Sequence, residues 1–178
     1  VDHLIDYRTE DFEQRTRDPL DRLTLSRLAD CTGAPPHSMY TFRHALIQDA
    51  AYGGLLLAER RTLHRRIAQA LRGRSDESNV RPELVAYHYT KAGDARQAIT
   101  HWQEAAKQAR DHPAHVEAIK HVKTALELLE QLQDDAERVR LELHLRVALG
   151  INLEAVGGYT SPEVAQNYAR ARELCDQF

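Results

Sequence analysis

The feature that most constrains this chain is an internal repeat. The run Gln97-Ala98-Ile99-Thr100-His101-Trp102-Gln103-Glu104-Ala105-Ala106 matches Glu117-Ala118-Ile119-Lys120-His121-Val122-Lys123-Thr124-Ala125-Leu126 as Ala-Ile-x-His-apolar-x-x-Ala-apolar, with Ala98 aligned to Ala118. Small residues at Ala98, Ala105, Ala118 and Ala125 let neighbouring helices approach closely. Ile99, Trp102, Ile119 and Val122 fill the space between them. Such a helix has too much apolar face to stand alone in water, and stacking on similar helices buries it. Composition points the same way. Hydrophobic residues are 42% of the chain and aromatics only 6%, a mix that favours close-packed helices over a β sandwich.

Breaker residues place the elements. Pro19 starts a short amphipathic run, Leu20, Leu23, Leu25, Leu28 and Ala29, which Gly33-Ala34-Pro35-Pro36 ends. Met39-Tyr40-Thr41-Phe42 reads as a strand. A helix over 44–52 carries Leu46, Ile47, Ala50 and Ala51 on one stripe, and Gly53-Gly54 kinks or breaks it. A second stripe, Leu56, Leu63, Ile67 and Leu71, runs to Gly73, and 73–82 is a loop. From Pro82 the pattern predicts helical hairpins: 82–92, stopped by Gly93; 95–110, with Asp94 as N-cap; 114–132; 134–156, ended by Gly157-Gly158; and a last helix to Cys175. Ser161-Pro162-Glu163-Val164 opens that last helix with an N-cap, a first-turn proline and an acidic first turn. Residues 1–18 are polar and charged, with Tyr7 and Phe12 as isolated anchors, and this end is expected to be disordered or else packed against the repeats or a second copy.

Little in the sequence points to catalysis. The ten histidines form neither a His-Glu-x-x-His helix nor a cysteine knuckle, so solvated or capping roles are expected and no metal site is assigned. The two glycine pairs lack the Lys-Ser/Thr of a phosphate loop. Asp134, Asp135 and Glu137 fall at a helix start and suit its dipole. Arg60, Arg61, Arg65 and Arg66, joined by Arg72 and Arg74, make a basic cluster without interleaved aromatics, and a net charge of -3 does not suggest a dedicated nucleic-acid binder. Cys31 and Cys175 are too few for a disulfide framework, which favours a reducing compartment. The start, Val1-Asp2-His3-Leu4-Ile5, has neither an initiator Met nor a signal peptide. The expectation is a piece of a larger cytoplasmic protein with no membrane segment.

Two resemblances add to this. Tyr89–Ala105, with Gly93-Asp94 at its turn, resembles the tetratricopeptide repeat, a helix pair of about 34 residues. Tyr40–Tyr52 followed by Arg61–Leu71 resembles the segment after the ATPase module in bacterial signal-transduction ATPases. These include multidomain class III adenylate/guanylate cyclases and large ATP-dependent transcription regulators. Pro82–Tyr89 and Gly157–Val164 are similar to the helical region that follows in such proteins. The resemblance implies an all-α chain: a TPR-like right-handed superhelix of antiparallel helix pairs over 82–178, a connecting helix and loop over 53–81, and a winged-helix remnant with a short β element over 1–52. Residues 31–43 would be its wing. It also implies ATP or ADP as the ligand of the full-length protein, with His44 as a nucleotide sensor. Relatives carry Met-His-Asp there; this chain has Arg43-His44-Ala45. The expected role is a non-catalytic interaction and regulatory segment of a signalling ATPase linked to a nucleotide cyclase. Its partners would be another protein, neighbouring domains of the same chain, or a second copy. The alternative is part of an ATP-dependent transcription regulator that touches DNA through the basic region. No enzymatic activity and no cofactor are expected of the segment itself.

Overall fold

In the computed structural model the residues described are 19–33, 38–73, 81–133 and 135–177. The readings made for residues 1–18, for most of the 73–82 loop, and for Arg74 and Asp134 lie outside them. The chain divides into two compact units, Val1–Leu56 and Leu57–Phe178. The described part is mainly helical, as expected of an all-α chain, with one two-stranded sheet.

In the first unit, helix α1 covers residues 19–25 and is followed by strands β1 (Ala29–Thr32) and β2 (Met39–Phe42). The strands are antiparallel, with Ala29 opposite Phe42 and Thr32 opposite Met39. The reading of Ala29 as part of the preceding helix is therefore corrected. Serine and threonine hydroxyls end that helix early: Thr24 Oγ1 and Ser26 Oγ both bond backbone carbonyls one turn back, a side-chain competition that favours helix ends. Asp30 on β1 takes two bonds from Arg43, at 2.6 and 3.3 Å, and the guanidinium holds its carboxyl below the usual carboxylate range. Helix α2 (Ala45–Gly54) follows and buries none of its side chains; Leu46 is 80% exposed.

The second unit is a series of helices, α3 (Leu57–Arg72), α4 (Pro82–Ala92), α5 (Ala95–Asp111), α6 (His115–Leu128), α7 (Asp135–Gly157) and α8 (Pro162–Cys175). A short 3-10 turn, Leu129–Gln131, extends α6. Each helix packs chiefly on its chain neighbours. The core runs continuously through Val85 and Tyr89 of α4, Ile99 of α5, Val122 of α6, Leu145 and Leu149 of α7, and Val164 of α8. Each fully buried aliphatic side chain of this kind contributes roughly 1.5–3 kcal/mol.

The expected stops hold. Pro82 occupies the first turn of α4, and Gly93 caps its end with φ 74°, a left-handed conformation that only glycine adopts without strain. Asp94 caps α5 by accepting a bond from the Gln97 N–H at 3.3 Å. Ser161 precedes α8 as expected, but its hydroxyl makes no capping bond. The α3 stripe is corrected in part. Leu63 and Ile67 are each 42% exposed, and Leu56 is 70% exposed. The side chains that α3 buries are His64 and Ala68, with Leu71 packed against the same core.

Alternate helices share a register of their own. Val85, His88, Tyr89 and Ala92 of α4 correspond in order to Ala118, His121, Val122 and Ala125 of α6, with the same spacing between successive positions. Val85, Tyr89 and Ala92, like Ala118, Val122 and Ala125, are buried. The sequence match between Ala98 and Ala118 relates α5 to its neighbour α6, two helices of one stack. The correspondence between Val85 and Ala118 relates helices two apart.

Candidate interaction groove

A groove of about 590 Å³ opens on the second unit. Its floor is α7, through Leu149 and Leu153; α6 forms one wall with Lys123 and Leu126, and α8 the other with Gln166 and Arg170. Lys123 Nζ lies 2.7 Å from Glu163 Oε1, so one ion pair ties the two walls together above α7. Both side chains are half exposed, and such a tie contributes little to stability.

The floor is built more firmly. Arg170 grips Glu142 of α7 at two points, Nε to Oε1 at 2.9 Å and Nη2 to Oε2 at 3.1 Å. Arg146 donates to the same carboxylate at 3.4 Å. The bonds from Arg170, helped by the charge of Arg146, hold the Glu142 carboxyl below the usual carboxylate range against the opposing effect of burial. Glu142 is thus a fixed anion beneath the groove. Asn167 donates from Nδ2 to the Arg146 carbonyl at 2.7 Å, and its buried Oδ1 has no hydrogen-bond partner among the described residues. Close approach of α7 and α8 rests on Gly150. A methyl group there would meet the Tyr168 ring at 2.5 Å.

A smaller recess of about 290 Å³ lies two helices earlier, between α4 and α6 with α5 beneath, lined by Glu83, Gln108, His112, Glu117 and His121. The two recesses repeat one arrangement: alternate helices form the walls, and the helix between them forms the floor.

The structure places the sequence-derived candidates as follows. His44 precedes α2 in extended conformation, exposed, and its side chain makes no capping bond. It belongs to the first unit, whereas the groove belongs to the second. Within the basic cluster, Arg72 donates to Tyr89 Oη and Gln97 Oε1, both at 3.4 Å. The Arg61 guanidinium lies beside Gly93. Those two arginines are engaged in helix packing. Cys31 and Cys175 are exposed free thiols. Among the described residues, no three His, Cys, Asp or Glu side chains converge as a metal site, and no helix is long and apolar enough to cross a membrane.

The histidines are the main correction. His112 caps, its Nδ1 lying 2.9 Å from the Gln108 carbonyl. His64, His101 and His121 are instead buried between helices. His64 and His88 approach Nδ1 to Nδ1 at 2.8 Å. His101 stacks on Tyr89 and meets Glu104 at 2.7 Å, and His121 stacks on Trp102. His115 bonds Asn152 Oδ1 at 2.9 Å. The signal was present in the repeat, where His101 and His121 each follow a buried alanine, Ala98 and Ala118, by one turn.

No protein family matches the sequence, and no solved structure matches it. The chain is 30% identical over 141 residues to the uncharacterized protein R02095 of Rhizobium meliloti (strain 1021). The matched region is 79% of this chain and 14% of that protein, so the chain spans a small part of the relative's length.

Proposed function

We propose that this chain is a non-catalytic interaction and regulatory segment of a multidomain signalling ATPase linked to an adenylate/guanylate cyclase, working in the cytoplasm. The observation that carries this reading is the repeated recess, with α4 and α6, then α6 and α8, as walls around an intervening helix. Stacked helix pairs that present successive recesses suit the binding of peptides and helices. The register that pairs Val85 with Ala118 and Tyr89 with Val122 is close to the tetratricopeptide period of about 34 residues, which supports a TPR-like right-handed superhelix. The hairpin of β1 and β2 followed by α2 supports the winged-helix remnant. On the same reading His44, exposed at the head of α2, senses the ADP or ATP held by the full-length protein.

The test uses the full-length protein. Cross-linking followed by mass spectrometry should map contacts from a neighbouring domain or partner onto the α6–α8 groove. Lys123→Glu with Gln166→Arg should abolish those contacts and leave the helical content unchanged. Contacts that avoid residues 115–175 altogether, or that survive both substitutions, would sink the reading. His44→Ala should change the nucleotide response of the full-length protein; an unaltered response would remove the sensing role alone.

A further inference from the structure

We propose that the His64–His88 contact is a proton-operated clamp that releases α3 from α4 as the surroundings acidify. The inference is independent of any partner in the groove. The two Nδ1 atoms lie 2.8 Å apart, with ring centroids 5.1 Å apart and planes inclined by 38°. That contact holds one proton: one nitrogen donates N–H and the other accepts with its lone pair. A first added proton, placed on the far nitrogen of the donor ring, preserves the bond. A second sets N–H against N–H, and the contact must break.

The surroundings resist both additions. Burial lowers the proton affinity of His64, and the Lys91 ammonium of α4 lowers it further. Burial does the same to His88, followed by the charge of His64. Burial and positive charge thus act in one direction on both rings. On α3 the charged residues one turn before His64 are Arg60 and Arg61, which carry the same sign. On α4 the flanking groups are Lys91 and Tyr87, whose ring meets both imidazoles edge-on. Helix α5, packed on α4, turns its titratable His101 to Tyr89.

Released rings take up protons around the ordinary histidine value of 6.5, while docked rings do so only at lower pH. Docking is therefore fully supported above pH 6.5 and weakens as pH falls from there through the docked values. The rest of the α3 interface with α4 does not titrate with the histidines. It includes Ala68, Leu71 and the Arg72 bonds to Tyr89 and Gln97, while Leu63 and Ile67 are each 42% exposed. Both histidines belong to the second unit, which begins with α3 at Leu57.

Hydrogen exchange on the intact chain, corrected for intrinsic rates, tests this. Between pH 7.5 and pH 5.5, peptides from 57–72 should lose protection relative to those from α5 and α6, by up to about tenfold per pH unit for each histidine. The double variant His64→Gln/His88→Gln keeps a donor and an acceptor that do not titrate, and should abolish the dependence. Parallel loss in α3, α5 and α6, or a pH dependence that survives in the double variant, would overturn the clamp. Should that variant not fold, NMR titration of the histidine rings in the unaltered chain decides. Two coupled titrations below 6.5 support the clamp, and two independent ones at the ordinary value refute it.

Discussion

Two helix interfaces of the second unit place a ring pair at the same register and fill it differently. Between α5 and α6, Trp102 stacks on His121, with centroids 5.2 Å apart, and donates its indole N–H to Thr90 Oγ1 at 3.1 Å. Between α3 and α4, His64 meets His88. His88 and His121 occupy corresponding positions of α4 and α6, and His64 and Trp102 each precede a buried alanine, Ala68 and Ala106, by one turn. The indole contributes area and a permanent donor, and it does not titrate. His121 also has acids near it: burial lowers its proton affinity, Glu117 and Glu83 oppose that, and Lys120 adds a smaller lowering. At the His64–His88 pair, burial and positive charge reinforce each other instead. One position in the repeat thus serves as a fixed packing element in one interface and as a titrating element in the other.

The largest test of this difference is truncation. Trp102→Ala should cost about 3 kcal/mol in denaturant unfolding, because it removes a large, mostly packed ring. His64→Ala should cost about 1–2 kcal/mol, chiefly a buried hydrogen bond. Equal losses would break the comparison. Gly150→Ala should cost about 1–3 kcal/mol, since Tyr168 must move. Leu63→Ala, on the uncovered side of α3, should cost less than about 1 kcal/mol. A reversed order would mean that α3 is the tighter interface.

Acid should separate the regions by pH. Glu142 has its proton affinity lowered by Arg170, so the support it gives α7 and α8 is complete above the ordinary value of 4.5 and is lost as pH falls through its own lower value. Circular dichroism and exchange should show α3 loosening below 6.5 and α7–α8 only below 4.5, and Glu142→Gln should abolish the second stage. The smallest effect is expected at the groove mouth. Lys123→Ala should change stability by less than about 0.5 kcal/mol, with any difference vanishing at high salt.

Much of the helical frame was legible in single residues. Pro82, the Gly93-Asp94 pair and Gly157-Gly158 act locally, through φ restriction, left-handed backbone and capping, so they place helix ends without knowledge of the fold. What each helix buries depends on its neighbours. The stripe Leu63–Ile67 looked like the core face of α3, yet α4 meets the turn carrying His64 and Ala68. The correspondence of α4 with α6 was hidden because Val85 and Tyr89 differ in size from their counterparts, Ala118 and Val122. β1 has the sequence Ala29-Asp30-Cys31-Thr32, which carries weak strand preference; its ladder with β2 supplies the order. The groove was legible only as far as a helical repeat with a protein partner was expected. Its ion network joins Glu142 of α7 to Arg170 of α8 across the helix turn, a pairing that no local pattern announces.

Contacts confined largely to chain neighbours also determine how the second unit would bear load. Tension applied along the chain reaches the outermost helix first, and that helix can peel away without breaking the packing of those behind it. Each peeled residue lengthens from a helical rise of about 1.5 Å to about 3.4 Å extended. The stack would yield in successive steps, one helix at a time, like a zip opened from its ends. With His64 and His88 between them, α3 and α4 would part at lower force in acid than at neutral pH.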